Sequence, residues 1–583
     1  MQHSSGHRTN VFKQKPHASP MPRKIDKKML LAAWSINNPN WIINQAYNIP
    51  LRNIFREVIN FDPQEETYKY GKKVMNQKFL EVLKKERPDY IHLFLVWDEF
   101  YPETLVKIKE ILPEVRVTHW NGDDDIKFEH YTIPYSLAID YQLISQLQFT
   151  KQYDGAGIPW FDVLGADIVK FRPMNLKKKY DVVFVGTPKG DRLKYMRYLL
   201  KKNVNFTLAG AGWDDYPEFK KHYIGKLSDE EFVKFINESK INLCFSQNFF
   251  SVPHVLERSM AVNACKSFAL TEYVEGYFPK FTEGVDFATF KNEEELYDKL
   301  NYYLKHEKER ENIAEKAYQK VTKKFSNQKL LGDAYKSIEK DKRPLYSTTA
   351  RKNLNEHPVY LEESDFDKGS DYIKNKVGNS RYVGFTSQHH EILPYKDCFQ
   401  TYSMDLIKKP ISVCDAYLYS SLVGDYATLS LYYAYNYLAD QSYVYDNLDI
   451  SQYMVERAYF INNMDKFASM YRGKKFPLNP NEVAFLTMPL VRAKKIKRIP
   501  VINVDHILFT YLDLDLVVLR NQKRLFTNPF IYKLLFYSIF INPQILKHLL
   551  VNVLKRSKHP RAVKISNFFS KLFKPTALIK SAA

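Results

Sequence analysis

The sequence predicts an α/β protein: two successive doubly wound units, a smaller third α/β unit and a basic helical tail. Three observations lead there. At 583 residues the chain is too long for a single core. Apolar runs at 89–96 and at Tyr180–Val185 are nearly continuous, as strands buried on both faces of a parallel sheet require. The strand–turn–helix alternation that begins near Lys28 starts again at Tyr180, after a connection near 150–175. Two such halves predict facing units with a cleft between them.

The elements follow in order. Residues 28–35 read as a buried strand, 41–58 as a helix after a polar loop, and 70–86 as a second helix. The strand at 89–96 leads to a helix over 102–111, with Pro102 in its first turn, and to a strand over 115–120. In the second half, the strand at 180–185 ends in the turn Gly186-Thr-Pro-Lys-Gly190, and a helix over 192–201 follows. Strands are expected at 204–209, 241–245 and 267–271, with helices at 228–237 and 293–306. Ser228-Asp-Glu-Glu231 fits a capping box. From about 345 the pattern changes to an acidic stretch, strands at 381–385 and 497–504, and a segment rich in Tyr, Leu and Ala at 415–439. The expected divisions are a disordered leader at 1–25, units at 26–165, 166–345 and 346–515, and a basic amphipathic tail at 516–583.

Net charge is +20, but thirteen Lys and Arg and no acid lie after Asp515, leaving +7 for the rest. The basicity therefore describes the tail rather than any site in the α/β units. The tail fits either peripheral contact with anionic lipid or a helix packed on the protein's own surface. Nucleic-acid binding is not expected, since no recognised module accompanies it. The leader lacks an apolar segment and does not read as a secretory signal. Cys244, Cys265, Cys398 and Cys414 form no CxxC pair or metal spacing; they read as buried reduced thiols of a cytoplasmic protein.

Candidate chemistry gathers where strands end. Gly186 and Arg192 bracket a strand-to-helix turn that fits either phosphate binding or an ordinary connection. Ser239 and Lys240 open an apolar strand, and Lys240 fits either a diphosphate partner or a solvated lysine. His254 and Arg258 lie four apart, on one helical face, and Arg258 suits bidentate phosphate binding. Thr271, Glu272 and Tyr273 end the next strand. In the first half, His119 precedes Asn121-Gly-Asp-Asp-Asp125. Asp123 and Asp124 there fit a base, hydroxyl ligands or a hydrated turn.

Taken together, several ordered motifs resemble the CgeB-like (spore maturation protein) glycosyltransferases over roughly 28–340. They are Pro88-Asp89, Trp120 with Asp123-Asp124, Tyr180-Asp-Val-Val-Phe-Val-Gly186, Gly210-Ala-Gly-Trp213, Ser239-Lys-Ile-Asn-Leu243, Ala264-Cys265 and Leu270-Thr-Glu-Tyr273. The resemblance implies a GT-B fold of two facing Rossmann-like domains and sugar transfer from a nucleotide-sugar (UDP- or GDP-sugar) to a glycan precursor or protein. It implies no bound cofactor and no metal. Donor contacts would fall to Gly186, Arg192, Ser239, Lys240, His254, Arg258, Thr271, Glu272 and Tyr273, and catalysis to His119, Asp123 and Asp124. The chain departs from that pattern at Leu256, Ala261 and Lys266, where the family has Lys, an acid and Gly. Lys266 is expected to replace the missing lysine in part. An inactive nucleotide- or glycan-binding scaffold is the alternative. The third unit resembles, more faintly, a truncated GT-A-like (family 2) domain, with Thr386-Ser-Gln-His-His390 where an Asp-x-Asp metal motif would stand.

Overall fold

The computed structural model describes residues 24–37, 44–95, 99–188, 190–246, 255, 257–352, 357–388, 390–420, 425–429, 449–471 and 482–493. Residues 1–23 of the expected leader, His254, Leu256, the expected strand at 497–504 and the tail lie outside the described residues; Ile25, expected in the leader, opens the first strand.

The first sheet holds six parallel strands in the order β2-β1-β3-β4-β5-β6. They are β1 (Ile25–Ala33), β2 (Phe55–Phe61), β3 (Tyr90–Phe94), β4 (Arg116–Asn121), β5 (Tyr141–Ile144) and β6 (Trp160–Asp162). The apolar run of β3 is buried along its whole length, as a central parallel strand demands. The helix expected over 41–58 stops short, because 44–54 is helical and Phe55–Phe61 becomes the edge strand β2. Phe55, Val58 and Phe61 face the core there. The helix expected over 70–86 is broken at Gly71, whose φ of +91° ends Pro63–Tyr70 before Lys72–Glu86 begins.

The second sheet holds five parallel strands in the order β11-β10-β9-β7-β8. These are β7 (Tyr180–Val185), β8 (Phe206–Ala209), β9 (Ser239–Cys244), β10 (Phe268–Glu272) and β11 (Ala288–Phe290). The helix Asp229–Asn237 starts with the capping box read from the sequence, Ser228 and Glu231 each satisfying the other's backbone. Helix Glu293–Lys305 buries Leu296 and Leu300, and Glu307–Lys324 buries Ile313, Ala317 and Val321. Both units are thus α/β layers with all-parallel, Rossmann-like sheets.

Helix Asn327–Lys340 does not stay with the second sheet. It crosses back and packs Leu331, Ala334, Tyr335 and Ile338 into the core beneath β1, β3 and β5. The Tyr335 hydroxyl lies 2.8 Å from Thr118 Oγ1 and 3.1 Å from His92 Nδ1. At the same helix, Glu339 accepts from Tyr90 Oη at 2.5 Å and from Arg116 at 3.3 Å. The outgoing and returning chains run side by side through the bridge Ala166–Ser326.

The third sheet is mixed, in the order β12-β13-β17-β15-β18-β14 with β16 paired to β15. Its strands are β12 (Val359–Leu361), β13 (Tyr382–Phe385), β14 (His390–Ile392), β15 (Ile411–Ser420), β16 (Asp425–Leu429), β17 (Tyr453–Glu456) and β18 (Val483–Ala493). Phe399, Tyr402, Leu486 and Val491 join the core of the first unit. Tyr402 Oη sits 2.7 Å from both Ser136 Oγ and Tyr346 Oη. Beneath this junction Asp140, fully buried, accepts from Lys109 Nζ (2.6 Å), Val117 N (2.8 Å) and Ser347 Oγ (2.6 Å).

Candidate functional site

Phe184, in β7, is buried and carries two guanidinium groups. Arg192 lies 5.6 Å and Arg258 5.5 Å from its ring centre. Aromatic faces attract cations, so the ring can hold both without a carboxylate at each. Arg258 opens the short helix Arg258–Ala264 behind β9 and reaches over the end of β7. Its Nη1 and Nη2 each lie 3.4 Å from where a Cβ on Gly186 would stand. That is ordinary contact distance; the tighter neighbour is Phe184 Cζ, 2.7 Å from the same point, so a bare glycine there makes room for the ring on which Arg258 rests. Arg258 Nη1 is buried and has no hydrogen-bond partner among the described residues. Burial lowers the pKa of Arg258 from its ordinary value.

The loop that carries Gly186 is fixed by close backbone packing. A Cβ on Gly210 would fall 2.4 Å from the Gly186 carbonyl oxygen, and Gly210 has φ +123°. Trp213 Nε1 donates to that same oxygen at 2.7 Å. The sequence motif Gly210-Ala-Gly-Trp213 thus serves as the seat of the Gly186 turn.

Arg192, 1% exposed, donates to the carbonyls of Ser246 (3.1 Å), Thr187 (3.3 Å) and Phe245 (3.5 Å). Burial, with Arg258 next, pushes its pKa down to about 9, while Glu272 acts the other way. Glu272 ends β10, accepting from Ser246 N at 2.7 Å and from Tyr195 Oη at 3.3 Å. On its far side opens a cavity of about 500 Å³ walled by Asp191, Lys194, Tyr273, Lys291 and Glu293. Tyr273 is exposed there, with Lys291 Nζ 4.8 Å from its ring centre.

The structure therefore gathers Gly186, Arg192, Arg258, Glu272 and Tyr273 at the carboxyl edge of the second sheet. It separates two other donor candidates, Ser239 and Lys240, from them. Ser239 and Lys240 lie at the opposite edge, because β9 starts at Ser239 and pairs with the start of β7. Ser239 Oγ donates to Phe235 O at 2.5 Å, and Lys240 Nζ pairs with Asp181 at 2.7 Å. Six residues of chain separate Lys240 from Ser246, roughly 20 Å if extended, so a diphosphate at Gly186 is out of its reach. Thr271 is buried in the sheet with Cys244 as its register partner. Lys266 stands past the far end of the Arg258 helix, with φ +54°, and pairs with Glu315 at 2.5 Å. It does not replace the missing lysine. Position 261, where the family has an acid, is a buried alanine.

In the first unit the candidates divide similarly. Asp124 is 1% exposed and holds Thr132 Oγ1 (3.0 Å) and Tyr153 Oη (2.8 Å), which makes it a fastening of the fold rather than a base. His119 is buried, with Nδ1 2.9 Å from Gln142 Oε1, and burial pushes its pKa down to about 4, so it is neutral at pH 7. Asp123 keeps part of its carboxylate in solvent and pairs with Lys127 at 3.1 Å. The sequence reading missed Phe184, Tyr195 and Ser246 as parts of the site. Phe184 lies one residue before the end of β7 and Ser246 two residues past the end of β9, positions that could have marked them; Tyr195 gives no signal beyond helical spacing.

Residues 192–333 match the family model described as Glycosyl transferase-like. The match begins at Arg192 and runs into the returning helix, so the similarity falls on the second unit. No curated protein matches the chain. Among solved structures, HepE of Anabaena in complex with UDP and glucose is similar at 11% identity and a TM-score of 0.41, over 54% of this chain and 99% of that one. Sucrose-phosphate synthase of Thermosynechococcus elongatus is similar at 10% identity and 0.41, with the same coverage. An alpha-glucosyltransferase in complex with UDP and a 13-mer DNA gives 11% and 0.38, over 54% and 100%. Likeness of this degree bears on neither substrate nor chemistry. Among the described residues no three His, Cys, Asp or Glu cluster as metal ligands, and no helix is long and apolar enough to cross a membrane.

Proposed function

We infer that this chain is a glycosyltransferase that binds the diphosphate of a UDP- or GDP-sugar between Arg258 and Gly186 and transfers the sugar to a glycan precursor or protein. One observation carries the reading: a buried guanidinium nitrogen of Arg258 without a hydrogen-bond partner among the described residues, beside a bare glycine at a strand end. The local charges agree. Arg192 has a second cation, Arg258, and one carboxylate, Glu272, acting on it, so two guanidinium groups stand near this strand end for an anion to meet. A guanidinium so placed offsets the charge that develops on a departing diphosphate. The match of residues 192–333 to the Glycosyl transferase-like model supports the same assignment. Cytoplasmic placement, a tail against anionic lipid, the divisions read from the sequence and a degenerate GT-A-like third unit belong to this proposal.

The test is thermal stabilisation with UDP, GDP and their sugars, since a ligand that binds only the folded state raises the melting temperature. A shift with one of them that Arg258→Ala abolishes supports the site. A well-folded sample that responds to none overturns it. The scaffold reading retains two observations in its favour: Ala261 offers no carboxylate for donor hydroxyls, and Asp124 is consumed by Thr132 and Tyr153. Nucleotide binding without donor hydrolysis or transfer would select it.

A further inference from the structure

We propose that Arg192 and Glu272 are positioning residues that hold the end of β9 beside the end of β7, rather than ligands of the donor. The inference rests on the proposed donor site and reassigns two of its members. Ser246 is gripped through both of its backbone groups. Its N–H donates to Glu272 Oε2 at 2.7 Å, and its C=O accepts from Arg192 Nε at 3.1 Å. The same guanidinium reaches Phe245 O on that strand and Thr187 O beside Gly186. One buried cation thus ties together the two strand ends flanking Phe184, the ring under Arg258. Each Arg192 nitrogen already has an acceptor, whereas Arg258 Nη1 has none among the described residues.

The division of labour is chemical. A guanidinium spread over three neutral carbonyls retains its charge, so Arg192 still draws an anion toward Arg258 without touching it. Glu272 cannot face a diphosphate directly without repelling it. Turned to Ser246 N and Tyr195 Oη, it fixes the loop and offsets the positive charge of Arg192 in a buried setting.

Two readouts on the full chain test this. Hydrogen exchange, followed by mass spectrometry over the peptide carrying Ser246, needs no ligand. Glu272→Gln should speed exchange at Ser246 about tenfold, the loss of one charge-assisted hydrogen bond. Tyr195→Phe, a milder change, should speed it less. UDP and GDP titrations supply the second readout. Glu272→Gln and Arg192→Lys should each weaken binding about tenfold, and Arg192→Lys should retain part of what Arg192→Ala loses. Arg258→Ala should abolish binding with Ser246 exchange unchanged. Unchanged Ser246 exchange in Glu272→Gln overturns the proposal. So does loss of binding in Arg192→Lys as complete as in Arg258→Ala with no change in exchange. If neither nucleotide binds the wild-type chain, the donor assignment fails, and the exchange result still decides whether the two residues clamp Ser246.

Discussion

Gly210→Ala isolates the seat of the Gly186 turn. The added methyl would land 2.4 Å from the Gly186 carbonyl oxygen, 2.8 Å from its carbon and 3.0 Å from its nitrogen. An ordinary heavy-atom contact is about 3.5 Å, so the two backbones must part by roughly 1 Å. All three atoms are backbone, so no side chain can swing away. The positive φ adds about 1–2 kcal/mol for any L-residue, and overpacking about 1–3 kcal/mol. The expected destabilisation is about 2–5 kcal/mol, which lowers the melting transition of the second unit by roughly 4–20 °C. Gly157→Ala is the control: φ is +65° there, with nothing within 4 Å of the added carbon. It should lose only the first term. Gly210→Ala should also weaken UDP or GDP binding at least about tenfold, because parting the strands moves Gly186 from under Arg258. Calorimetry and a nucleotide titration decide the matter. If Gly210→Ala melts with Gly157→Ala and binds like wild type, the turn is not seated as described.

Three further outcomes follow from the same coordinates. Lys266→Gly should raise stability by up to about 1 kcal/mol, since glycine removes the left-handed penalty while the part-exposed pair with Glu315 contributes little. Its nucleotide affinity should match wild type; a clear loss would restore Lys266 to the site. Acid should weaken the first unit: burial pushes His92 down to about 3 and His119 down to about 4, below the ordinary 6.5. Because the unfolded chain binds more protons in that window, stability is whole above pH 6.5. It falls as pH drops toward 4, by up to about 1.4 kcal/mol per pH unit for each histidine, and denaturation midpoints from pH 7 to 4.5 for wild type and His119→Gln should diverge accordingly. Asp140→Asn should destabilise by about 3–5 kcal/mol by leaving the Lys109 ammonium buried without its counter-charge. Adding Lys109→Met should recover most of it, and no recovery in chemical denaturation would refute the pairing argument.

Strand runs were legible because burial on both faces demands apolar residues at every position, as in β3 and β7. The capping box at Ser228 was legible because its chemistry is complete within four residues. Lys240 was misplaced because a side chain's chemistry does not say which end of a strand it occupies; that depends on where pairing with β7 begins. The 41–58 segment was misread because β2 carries its apolar residues at a spacing that a helix can also present. Arg192 looked like a phosphate ligand because its acceptors are main-chain carbonyls, which no residue type announces. The hold of Tyr335 on His92 and Thr118 spans more than two hundred residues, beyond any local pattern.

That hold has a consequence for synthesis. The first sheet is complete at Asp162, yet Leu331, Tyr335 and Ile338, which cover one of its faces, emerge from the ribosome roughly 170 residues later. At about 5–20 residues per second this is a delay of roughly 10–35 s. For that interval the nascent first unit presents an uncovered apolar face, which makes it a natural client for chaperones. Slowing translation between the two units should raise aggregation rather than help folding.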